Sequence, residues 1–171
     1  LKQRMGLCLA AFFAAFAMQL TLNGYQSRAV QAVQDAQMGC FNAISRFQGG
    51  VKSSISVLEN YRWENSEPEE IIDRLQAASS TCNEWLWRIG TSLNSLESVS
   101  DEQWVLYSAV DTVYQTYTGL LDELENDLLS GNDAAASQLY YAKVVPCGDY
   151  LSQYTLQLLE TAIQDSQTTY T

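Results

Sequence analysis

The chain has 171 residues, with 20 Asp and Glu against nine Lys and Arg, a net charge of −11 and no His. So acidic a surface cannot neutralise phosphates, which argues against nucleic-acid binding. The missing imidazole removes the commonest general base and transition-metal ligand.

The first element in chain order is a lead segment. Lys2 and Arg4 precede an apolar run from Met5 to Leu22, and all 20 acidic residues come after it. A basic lip, an apolar helix and an acidic domain are the order expected of a membrane-inserting anchor whose basic end stays in the cytoplasm. The run of about 18 residues stands near the lower length limit for a span. Its core, Gly6 to Met18, also has the length of a signal-peptide hydrophobic region, and Ala15-Phe16-Ala17 offers a small-x-small cleavage site. Length and flanks favour the retained anchor, with the cleaved leader as its alternative. Residues 1–22 are therefore read as cytoplasmic lip and anchor, and 23–171 as an extracytoplasmic domain. In that domain seven basic residues face 20 acidic ones, a net charge of −13.

Two Pro, nine Gly and a hydrophobic share of 47% favour helices, and four are expected. Helix 1 continues from the anchor to about Trp63. Its inward positions are Val30, Val33, Cys40, Ile44, Phe47, Val51, Ile55, Leu58 and Tyr61, with a kink expected at Gly49-Gly50. Helix 2 starts at Ser66-Glu67-Pro68-Glu69, a capping-box pattern, and carries the stripe Ile71, Leu75, Ala78, Cys82, Trp85, Ile89 and Leu96. Helix 3 starts at a second capping box, Ser100 to Gln103. Its stripe Tyr107, Val110, Tyr114, Tyr117, Leu121, Leu124, Leu128 steps by three and four alternately, the period of bundle packing. Gly131 ends it. Helix 4 begins at Asn132 or Asp133, places Ala136, Tyr140, Val144, Cys147, Leu151, Tyr154, Leu158 and Ala162 inward, and is expected to bend at Pro146. Short connections make neighbours antiparallel, giving an all-α, up-down-up-down four-helix bundle whose long first helix continues from the N-terminal transmembrane helix.

Three features carry a resemblance: Leu1-Lys2-Gln3-Arg4 leading into Gly6–Leu22, the long first helix, and the junction of helices 3 and 4. That junction reads Leu120-Leu121-Asp122-Glu123-Leu124, then Leu129-Ser130-Gly131-Asn132-Asp133-Ala134-Ala135-Ala136. The pattern resembles the extracytoplasmic helical-bundle sensor domains of bacterial transmembrane receptors, namely sensor histidine kinases and methyl-accepting chemotaxis proteins. The resemblance implies a second span after Thr171, a cytoplasmic signalling module, a homodimer, and a ligand or partner protein that shifts helix 4 against helix 1. It supplies no ligand motif, no cofactor and no catalytic residue for this segment.

Candidate side chains are weighed against plainer roles. Counting helix rise from the distal end puts Arg46, Trp85, Arg88 and Asp111 at one level. An Arg-aromatic-acid layer could bind a small carboxylate or amino acid through forked hydrogen bonds and stacking. The plainer reading, which is favoured, is a partly buried salt bridge beside a core Trp. Arg62-Trp63, at the distal tip, is an ordinary snorkelling pair unless a partner protein contacts it. Cys40, Cys82 and Cys147 act as small apolar residues, and Cys82 with Cys147 would be a disulfide only if diagonal helices came close. The acids from Asp122 to Asp127 lack calcium-loop spacing and read as a solvated face, and no metal or other cofactor is implied. The leading expectation is a cell-membrane sensing domain of a two-component histidine kinase, less so a chemoreceptor. The alternative is a secreted all-helical carrier. No enzymatic motif is present.

Overall fold

The computed structural model describes residues 2–64, 68–96 and 99–168, with side chains placed at 19, 26–28, 30–59, 68–96 and 99–167. These residues are all-helical apart from short connections and include no strand. Helix α1 spans Lys2–Glu64, α2 Pro68–Ser95, α3 Asp101–Leu129 and α4 Asp133–Leu139. A π-helical segment, Tyr140–Val144, joins α4 to α5, Val145–Thr168. The chain forms two compact units, Leu1–Ala36 and Gln37–Thr171. The boundary expected after Leu22 falls inside the first unit. Among the described residues no helix is long and apolar enough to cross a membrane. The side chains of the expected anchor, other than Gln19, lie outside those described.

In the second unit one core collects the helical stripes. Cys40, Ile44, Phe47, Val51 and Leu58 of α1 meet Ile71, Leu75, Cys82, Ile89 and Leu93 of α2. Helix α3 adds Val110, Tyr114, Tyr117, Leu121, Leu124 and Leu128, and the last helical run adds Ala136, Tyr140, Val144, Leu151, Leu158 and Ala162. A fully buried Leu, Ile or Phe contributes roughly 1.5–3 kcal/mol, so these faces hold the helices together. The stripe of α3 is as its spacing predicts, with all but half-buried Tyr107 removed from solvent. Val30, expected inward, is 49% exposed and belongs to the first unit, where the described residues present no buried core.

The helix ends follow local chemistry. The side chain of Ser100 accepts from the Gln103 N–H at 3.2 Å, and Asp101 and Glu102 sit in the positive first turn of α3. At the other end Gly131 adopts φ 68°, its N–H bonds to Leu128 O at 3.0 Å, and the Asn132 N–H bonds to Asp127 O at 2.9 Å. This is a Schellman ending, which needs a left-handed residue that glycine supplies without a Cβ penalty. Helix α2 opens on Pro68 with Glu69 and Glu70 in its first turn. Ser66 of the expected capping box lies outside the described residues.

Two expected irregularities come out differently. At Gly49-Gly50, where a kink or weak point is expected, α1 stays helical without a break. Instead Gly50 lets α1 approach α2: a Cβ there would lie 2.6 Å from Cys82 Sγ. The bend expected at Pro146 is a widened turn just before it. The Val145 N–H bonds to Tyr140 O, five residues back, and the π segment ends at Val144. Proline gives no N–H to the preceding turn and its ring crowds the carbonyl four residues back. A single π turn relieves that crowding while α5 continues beyond it.

Candidate functional site

The four side chains singled out from the sequence do not form one layer of contacts. Trp85 and Arg88 do meet: the guanidinium stands 4.8 Å from the centre of the Trp85 ring. The same guanidinium bonds to Glu84 Oε1 through Nη2 at 2.7 Å and Nε at 3.1 Å, so its fork is engaged within α2. Arg46 is exposed on α1. Half-buried Asp111 accepts from Gln115 Nε2 at 3.4 Å within α3. Among the described residues no hydrogen bond or ion pair joins Arg46 or Asp111 to the other two. The Tyr107 hydroxyl is pushed up first by burial and second by the Asp111 carboxylate. Along α2 Trp85 is half-buried and packs against the core, Leu86 beside it is buried, and Trp87 is 68% exposed.

The aromatic interior is structural. Phe47 and Tyr114 meet edge to face, with centroids 5.3 Å apart at 73°. The Tyr114 hydroxyl donates to Ser79 O at 2.9 Å. Ser54 Oγ donates to Val51 O at 2.8 Å and lies 2.9 Å from the Tyr117 hydroxyl. With the Ser54 proton given to the backbone, Tyr117 is the donor between the two hydroxyls. Burial pushes Tyr117 up to about 12 and Cys82 likewise to about 12. Cys40, Cys82 and Cys147 are free thiols, so the Cys82–Cys147 disulfide does not form. Among the described residues no cluster of three or more His, Cys, Asp or Glu converges to hold a metal.

Three larger concavities remain, of which one of about 320 Å³ lies beside Gly50, Val57, Arg74 and Ala78. A cavity of about 280 Å³ lies among Leu58, Leu124, Leu128, Ala136 and Tyr140, with Asp133 and Ser137 supplying its polar groups. Its walls are mostly core side chains and it has no cation. The third is a groove of about 440 Å³ between α3 and the π segment with α5. Val113 and Thr116 form one wall. Lys143, Cys147, Tyr150 and Tyr154 form the other. Cys147 leans across it, its thiol 3.8 Å from Val113 O, and burial raises its pKa, so it is a poor nucleophile at neutral pH. The Thr116 hydroxyl donates to Thr112 O at 3.1 Å, which leaves its lone pairs to accept. Lys143 and Tyr150 lie on no apolar stripe and in no motif, and the one mark of the groove in the sequence is the nearby Pro146.

Compared with known proteins, the chain matches no protein-family model, no curated protein and no solved structure.

Proposed function

We propose that the chain is the extracytoplasmic sensing domain of a membrane-anchored bacterial signal-transduction receptor, with a two-component sensor histidine kinase ahead of a chemoreceptor. The observation that carries this reading is the partition of charge: Lys2 and Arg4, then an acid-free apolar run, then every acidic residue of the chain. The bounds of α1, Lys2–Glu64, include both that run and the first core positions, which supports a helix shared by anchor and sensor.

The sensor is read as an up-down-up-down bundle. Ser166 bonds to Gln37, and Gly148 lies against Ile55. Tyr114 bonds to Ser79, and Gln76 bonds to Glu125. In both sets the residue numbers run in opposite senses on the two partners, as antiparallel neighbours require. Packed helices of this kind switch between discrete arrangements, so a ligand that favours one arrangement can pass a small displacement toward the membrane. The receptor acts as a homodimer in this reading.

Expression of the full chain in bacterial cells tests it. The chain is expected in the membrane fraction after an alkaline wash, with its N-terminus intact by mass spectrometry and its domain cut by protease added to spheroplasts. A soluble product beginning near Met18 would overturn it in favour of a secreted carrier.

A further inference from the structure

The groove beside the π segment combines three properties. Its volume, about 440 Å³, lies within the range of small-molecule sites. Its wall holds one cation, Lys143, and no acid, in a domain whose acidic residues far outnumber its basic ones. Lys143 has no ion-pair partner among the described residues. Its rim carries two tyrosines, Tyr154 half-buried and Tyr150 59% exposed, with Val113 and Cys147 as the apolar floor.

We propose that this groove binds a small carboxylic acid with a ring or short hydrocarbon body. The ammonium of Lys143 pairs with the carboxylate, and the faces of Tyr150 and Tyr154 cover the apolar part. Charge complementarity selects the acid. A cationic ligand would meet Lys143 head-on, and a neutral one would leave the only charge in the wall without a use. The acidic field of the domain opposes the approach of anions, but solvent ions screen it beyond about 8–10 Å, whereas Lys143 acts at contact. Thr116 cannot donate to the carboxylate while it bonds to Thr112 O, so the lysine alone carries the anion. Tyrosine supplies wide contact area at low entropic cost, with a hydroxyl that stays in water.

The π turn gives the site its position. Tyr140 and Val144 are both buried on either side of it, and Lys143 stands on the exposed arc between them. Single π turns inside α-helices recur at functional sites for this reason, since they re-aim side chains without ending the helix.

This inference rests on the sensing role, but its test does not depend on membrane location. The full chain is purified in detergent and titrated with 3-phenylpropionate and with its neutral counterpart 3-phenylpropanol, by calorimetry and by amide NMR. The acid is expected to bind about tenfold or more tightly than the alcohol, with shifts confined to 113–117 and 143–154. Lys143→Gln is expected to erase the acid's advantage, and Tyr150→Ala to weaken acid and alcohol alike. Both side chains are exposed, so an unchanged thermal transition checks the fold. The proposal is overturned by acid binding that Lys143→Gln leaves unaltered, by shifts centred elsewhere, or by no acid binding at millimolar concentration. Failure here leaves the charge partition and the fractionation test untouched.

Discussion

Two sides of α3 contrast sharply. Toward α1 and α2 the contacts are close: Phe47 meets Tyr114, and Tyr114 bonds to Ser79. Toward the π segment and the start of α5 the helices also pack closely, with Gly148 against Tyr117 and Ile55, but the outer edge of that seam leaves a groove of about 440 Å³. The sealed side uses fully buried rings. The open side uses a proline, a widened turn and exposed tyrosines. Stability and ligand access are thus placed on different faces of one helix, and substitutions on the two faces should report different things.

The largest expected effect is on the sealed side. Tyr114→Ala or Phe47→Ala should cost about 3–5 kcal/mol in urea unfolding, whereas Tyr150→Ala on the open side should stay within about 0.5 kcal/mol. Equal losses would dissolve the contrast.

Alkaline titration comes next. Burial raises Cys40 to about 11, and Cys82 and Tyr117 to about 12, from ordinary values of 9.0 for the thiols and 10.0 for the phenol. The folded state therefore holds these protons where the unfolded chain has released them. The stability they contribute is complete below about pH 9 and is lost as pH rises through 11 and 12. Thermal transitions followed from pH 8 to 12 should fall over that window, and Cys82→Ala should flatten the thiol part of the slope.

Adjacent glycines sharpen the comparison further. Gly50→Ala drives a methyl into Cys82 Sγ and should destabilise by about 1–3 kcal/mol. Gly49→Ala meets open space and should stabilise α1 by about 0.5–1 kcal/mol. Chemical denaturation of the two variants should give opposite signs. The smallest effect belongs to Arg88→Ala, which removes an exposed pair with Glu84 one turn away. A change of a few tenths of a kcal/mol is expected, a value typical of such helix-surface pairs.

The parts of the molecule that were legible beforehand are those set by one helix alone. The stripe of α3, the cap at Ser100 and the ending at Gly131 each depend on spacing within a few turns, and the side chains stand where that spacing puts them. On α2 the same rule holds for Ile71, Leu75, Ala78, Cys82 and Ile89, whereas Trp85 packs against the core only half-buried and Leu86 beside it is enclosed, a choice the neighbouring helices make. Level-matching of Arg46, Trp85, Arg88 and Asp111 considered height but not azimuth, and Arg88 had an acid one turn back on its own helix. The groove was illegible for a related reason. It exists between α3 and α5, so no single element carries its signature.

That extra residue also fixes what the helix can do. Converting Tyr140–Val144 to a regular α-helix would move everything after it by one position, about 1.5 Å along the axis and roughly 100° around it. Such a rotation would carry Leu151, Leu158 and Ala162 out of the interior together, although each is now enclosed. The wide turn is therefore pinned from both sides, by Tyr140 before it and by the whole face of α5 after it. Removing one residue from that stretch would instead take out the insertion itself and let a regular helix carry the face of α5 in its present register.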